Sequence, residues 1–126
     1  MEDKGREIWV GENKIYLGED NIVHITILGD VDEETEIGIN AACYKLMEMV
    51  EGKMPALIDL NRAGKTSPGA RKRHKEITEH EKTGKVALFG LHPVARVIAS
   101  FTMGLSKNQD MRFFKTREEA LAWLKE

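Results

Sequence analysis

The sequence predicts a mixed α/β sandwich with the element order β-β-β-α-β-α-β-α-β-α. Three observations lead there. From Ile22 onward, short β-branched or apolar runs alternate with stretches of helical periodicity. Glycine, proline and Asx residues fall between the runs. The first three apolar runs are separated only by tight polar turns, which predicts an antiparallel start to an otherwise parallel sheet. The 126 residues fit one domain, 1–126, large enough to bury a core without disulfides.

The elements follow in order. Ile8-Trp9-Val10 and Ile15-Tyr16-Leu17 flank Gly11-Glu12-Asn13, and Gly18-Glu19-Asp20-Asn21 makes a second turn. Ile22 to Leu28 is the longest β-branched run, and Gly29-Asp30 is expected to end it. Asp32, Glu33, Glu34 and Glu36 place negative charge in a first helical turn, where the helix dipole favours it. Ile39, Ala42, Cys43, Leu46 and Val50 give that helix an apolar face, running to about Glu51 with Gly52 as the stop. Pro55 to Leu60 reads as a short buried strand followed by a loop.

Ser67-Pro68 then supplies an N-cap and a proline at the first helical position. The helix it opens, Gly69 to Lys82, is polar almost all round. Val86 to Phe89 is the next buried strand. Pro93 opens a helix with the stripe Val94, Val97, Ile98, Phe101 and Leu105. Met111 to Phe114 is the last strand, and Thr116 with Glu119 forms a capping box for the closing helix.

Composition excludes several classes. The net charge of −2 argues against a surface built to grip nucleic acid or an anionic membrane. Cys43 is the single cysteine, so neither an internal disulfide nor a thiolate metal cluster can be assembled. The four histidines, at 24, 74, 80 and 92, share no metal-ligand spacing. No apolar stretch reaches the length of a membrane span, and Met1-Glu2-Asp3-Lys4 does not begin a signal peptide. A cytoplasmic, reducing compartment is expected. No phosphate-binding loop, dinucleotide fingerprint or nucleophile elbow is present, so neither a cofactor nor catalysis is predicted.

Two stretches carry a family resemblance. Asp59-Leu60-Asn61, a short loop, and Thr66-Ser67-Pro68-Gly69 at a helix start resemble the STAS pattern of Asp-Leu-Ser, a loop, then Asp-Ser-Ser-Gly. Thr66 stands where that pattern has an aspartate, and the loop is one residue shorter. Val86-Ala87-Leu88-Phe89-Gly90, and then Arg112-Phe113-Phe114 leading into Glu119-Ala120-Leu121-Ala122-Trp123-Leu124, are similar to the SpoIIAA-like branch of that family. The resemblance covers most of the chain from Ile22. It implies a regulatory binding module, and it makes Ser67 the position matching the phosphorylatable serine of anti-sigma-factor antagonists. The branch also shares its fold with lipid-binding domains, which keeps small apolar ligands in view.

In an open α/β sheet, ligands bind beyond the carboxyl ends of the parallel strands. Asn61, Arg62, Thr66 and Ser67 follow one such strand, and His92 and Arg96 follow the next. The helix opened by Ser67 carries Arg71, Lys72, Arg73, His74 and Lys75 in its first half, against the dipole, at a cost of about 0.3–1 kcal/mol per exposed cation. An anion at the helix start would offset that, and Arg71 leans back far enough to meet a phosphate on Ser67 or Thr66. A plain N-cap beside a solvated basic face accounts for the same residues. His92-Pro93, with Arg96 a turn later, could hold an anion or be an ordinary loop. Ala95, Ala99 and Met103 widen the apolar surface of that helix, which fits a partner or homodimer contact as well as deep burial. Cys43 falls on an apolar face and is expected to be buried and inert.

Two functions fit these residues. One is a non-catalytic module that binds another protein, switched by phosphorylation near Ser67. The alternative is a carrier or sensor of a phosphate-bearing or lipid-like ligand, which requires a real pocket at the strand ends.

Overall fold

The computed structural model describes residues 5–91 and 110–126. One six-stranded sheet organises them, its strands in sequence order across the sheet. β1 (Glu7–Val10), β2 (Asn13–Leu17) and β3 (Val23–Val31) form an antiparallel meander. β4 (Met54–Thr66), β5 (Thr83–Phe89) and β6 (Met111–Phe114) continue parallel to β3. Among the described residues the helices are α1 (Glu33–Met47), α2 (Pro68–Thr78) and α3 (Arg117–Leu124). This is the mixed α/β order expected, with the stripe from Val94 to Leu105 lying outside the described residues.

Strand alternation divides the core between two faces. Ala56 and Ile58 of β4, with Val86 and Leu88 of β5, face α1 and α2. Leu57, Ala87 and Phe89 point the other way, onto Ala120, Trp123 and Leu124 of α3. These continuous apolar runs are what a strand covered on both sides requires. Ile15, Leu17 and Leu46 have no exposed surface, and burying each contributes roughly 1.5–3 kcal/mol.

Ser67 and Thr116 cap their helices as expected, though Glu119 Oε1 accepts from Lys115 N at 3.3 Å and not from Thr116 N, and Asp32, expected within the first turn, is the N-cap of α1. Asp32 Oδ1 accepts from Thr35 N at 2.8 Å, Ser67 Oγ from Ala70 N at 3.1 Å and Thr116 Oγ1 from Glu119 N at 3.2 Å. The far end of α1 is closed by a distant residue. Lys82 Nζ donates to the carbonyls of Met47 and Val50, each at 2.7 Å, answering the negative end of the helix dipole.

Four boundaries differ from expectation. β3 does not stop at Gly29-Asp30 but runs to Val31, and β4 does not stop at Leu60 but runs to Thr66. The expected loop is therefore strand, paired as Leu28↔Arg62, Gly29↔Ala63 and Val31↔Thr66. Two bulges let β4 gain a residue on β3 each time, so the apolar alternation is lost while the ladder persists. Gly64 allows the strands to close up, because a Cβ there would overlap Asp30 Oδ1. α1 ends at Met47, before the expected Glu51, and α2 ends at Thr78, before Lys82. α2 also buries Ala70 and Ile77, so it is less uniformly polar in its setting than its composition suggests.

Candidate functional site

β3, β4 and α2 converge at Thr66-Ser67. Ser67 N donates to Val31 O at 3.0 Å, and Lys65 N to Asp30 Oδ1 at 2.8 Å, so both strands fix where α2 begins. Ser67 is half-buried and Thr66 exposed. Arg71 leans back along α2, as helical side chains do, and its Nη1 donates to Thr66 O at 2.6 Å. The structure thus brings Thr66, Ser67 and Arg71 together at one helix start.

Asn61 and Arg62 sit further back along β4. Asn61 is held by Asp59, whose Oδ1 accepts from both its backbone N and its Nδ2 at 2.9 Å. It packs against Gly90, so the segments following Leu60 and Phe89 do lie at the same end of the sheet. Arg62 is exposed. His92 and Arg96 lie outside the described residues.

The basic run on α2 has a partner that the linear order conceals. α1 and α2 lie side by side, and the acidic first turn of α1 meets the first half of α2. Arg73 Nε donates to Glu33 Oε2 at 2.9 Å, and its Nη1 to Glu76 Oε1 at 3.4 Å. The bond to Glu33, and then Glu76, raises the guanidinium pKa above its ordinary value. His74 Nδ1 lies 3.5 Å from Glu36 Oε2, an ion pair whenever the imidazole is protonated. Glu33 of the neighbouring helix therefore offsets the unfavourable placement of Arg73 near the α2 N-terminus, and Glu36 does the same for His74 when it is protonated.

Behind this surface lies a cavity of about 500 Å³, between the sheet and helices α1 and α2. Its walls are apolar, with Ile25, Ile58 and Leu88 from the sheet, Cys43 and Met47 from α1, and Ile77 from α2. Lys65, Thr66 and Arg71 form an exposed rim. Glu36, Asn40 and His74 also line it. Glu36 and Asn40 are 7% and 5% exposed, one turn apart on the inner face of α1. Asn40 Nδ2 donates to Arg73 O at 2.9 Å, whereas its Oδ1 is buried without a partner. Burial pushes the Cys43 thiol up to about 12, with Glu36 adding to the shift, so the thiol stays protonated and unreactive.

The sequence did not single out this cavity or Asn40 and Glu36. Its one available cue was two polar residues at helical spacing on a face otherwise committed to Ile39, Cys43 and Met47. Among the described residues, no cluster of His, Cys, Asp and Glu can hold a metal ion, and no helix is long and apolar enough to cross a membrane.

Comparison with solved structures identifies the fold. A DUF3478-family protein with a SpoIIAA-like fold from Shewanella loihica PV-4 superposes with a TM-score of 0.67 at 16% identity, covering 89% of this chain and 91% of that one. The anti-sigma factor antagonist SpoIIAA in its unphosphorylated form gives 0.63 at 16% identity, covering 90% and 97%. The Bacillus cell fate determinant SpoIIAA in its phosphorylated form gives 0.58 at 19% identity, covering 89% and 98%. The expected STAS, SpoIIAA-like fold is thereby shown. No curated protein matches the chain. Residues 16–126 match the family DUF7793, described as a domain of unknown function, and the chain belongs to that family.

Proposed function

We propose that this chain is a non-catalytic regulatory module that binds another protein through the surface where β4 passes into α2, with phosphorylation of Ser67 or Thr66 as its switch. The observation that carries this is the Thr66–Ser67–Arg71 arrangement, in which a hydroxyl at a helix start has a guanidinium leaning back beside it. A phosphate on Ser67 would lie at the positive end of the α2 dipole, beside the Gly69 N–H, and could draw Arg71 off the Thr66 carbonyl. The neighbours of similar fold include SpoIIAA in both phosphorylated and unphosphorylated forms, which supports a switch of this kind. Native mass spectrometry of the protein purified from its own host tests it. A phosphate mass mapping to Ser67 or Thr66 is the expected result. If Ser67→Asp and Ser67→Ala then bind every partner equally, the switch is refuted.

The cavity favours a second function, a carrier or sensor of a lipid-like ligand. Its volume of about 500 Å³ and its apolar walls suit a small molecule. A small molecule retained in the same mass spectrum is the result that would favour it.

A further inference from the structure

A carboxylate from α1 already lies where α2 begins. Building on the Ser67 switch proposed above, we infer that Glu33 senses the phosphate. The two anions compete for the first turn of α2, so phosphorylation pushes the Glu33 carboxylate away, breaks its bond to Arg73 and loosens α1 from α2 at that point.

Gly69 makes the approach of Glu33 possible. It is the second residue of α2, and a Cβ there would fall 2.7 Å from Glu33 Oε1 and 3.1 Å from Glu33 Cδ. Any larger residue would expel the carboxylate, whereas glycine lets it lie against the helix. The other oxygen, Oε2, accepts from Arg73 Nε at 2.9 Å. Gly69 and Arg73 are four residues apart and share one face of α2. Glu33 thus reaches from the helix start to the next turn. It meets the positive end of the α2 dipole at one oxygen and a guanidinium at the other.

Ser67 is two residues before Gly69. Its Oγ accepts from Ala70 N and its carbonyl from Arg71 N. Pro68 has no N–H, which leaves the Gly69 N–H as the open donor of this turn among the described residues. A phosphoryl group, transferred to Oγ from a nucleoside triphosphate in exchange for the hydroxyl proton, would bring a charge of about −1.5 to −2 there. Like charges so placed disfavour one another. Glu33 is the partner free to move, because its side chain is 47% exposed. Ser67 is tied by its backbone N to Val31 O at 3.0 Å. Arg73 keeps Glu76 Oε1 at 3.4 Å when Glu33 leaves, so release costs it one bond of two.

Phosphoserine installed in place of Ser67 in the full chain tests this without a kinase. Melting temperatures are compared with and without the phosphate, at low salt, in the unsubstituted chain and in Glu33→Gln. That substitution keeps the size of the side chain and removes its charge. The change on phosphorylation should be about 3 °C less favourable with Glu33 than in Glu33→Gln. Glu34→Gln, exposed and one residue on, should leave the response within about 1 °C of the unsubstituted chain's. The Arg73 Nε–H signal in NMR, assigned by its loss in Arg73→Lys, should move on phosphorylation. Equal responses with and without the Glu33 charge, an equal effect of Glu34→Gln, or an unmoved Arg73 signal would each overturn the role of Glu33 and leave the Ser67 switch standing. Phosphorylation in the host is decided separately by the native mass spectrum, so the two fail independently.

Discussion

Arg73 Nε and Glu33 Oε2 meet at 2.9 Å across the α1–α2 contact, forty residues apart in the chain. Both side chains are partly exposed, at 38% and 47%, so salt will screen the pair. Glu33→Lys and Arg73→Glu should each lower the melting temperature, and more so at low ionic strength. The double reversal should recover most of the loss. Equal melting temperatures for all four proteins at low salt would mean that the basic run of α2 is merely solvated.

Lys82 is predicted to matter more than its place in a polar loop suggests. Its ammonium is the shared donor for Met47 O and Val50 O at the end of α1. Lys82→Met keeps the stem and removes both bonds, and should cost about 1.5–3 kcal/mol in urea unfolding. Lys53→Met offers a control, since Lys53 is exposed, and should change stability by less than about 0.5 kcal/mol.

Gly90 combines two constraints. Its φ is +96°, and a Cβ would lie 2.8 Å from Asn61 N and 2.7 Å from Asn61 Cγ. Gly90→Ala should destabilise by about 2–3 kcal/mol. Adding Asn61→Ala should recover only part of this, because the backbone nitrogen and the positive φ remain. Full recovery in the double variant would place the whole cost on the Asn61 side chain.

His24 should impose a pH dependence. Burial lowers its pKa from 6.5, ahead of the opposing pull of Asp20 at 3.7 Å and the further lowering by Arg117. The unfolded chain therefore takes up this proton first as pH falls. Stability should be constant with respect to His24 above about 6.5, decline as pH falls through that value, and level off once the folded-state pKa is passed. His24→Gln should flatten this part of the stability profile. An unchanged slope would assign it to another group.

Much of the fold was legible because it rests on local chemistry. The two apolar runs Pro55 to Leu60 and Val86 to Phe89, the acidic first turn after Asp32, and the caps at Ser67 and Thr116 each act through neighbours within a few residues. Their period and order are enough to specify strands crossing to helices. The Thr66–Ser67–Arg71 cluster was legible for the same reason, since a helix places residue 71 one turn from residue 67.

Other features depend on packing between distant segments. The extension of β4 past Leu60 exists because β3 runs beside it as far as Val31, and its bulges erase the alternation that would announce a strand. Within the basic run of α2, Arg73 and His74 look free until α1 is laid against them and Glu33 and Glu36 come into reach. The sequence by itself determined the class of fold and the element order, because hydrophobic period and capping are local codes. Tertiary structure alone decided which charges pair and where a cavity remains. It also left Asn40 Oδ1 buried without a partner, because contact between chain-distant surfaces is set by how the layers pack and by no one segment.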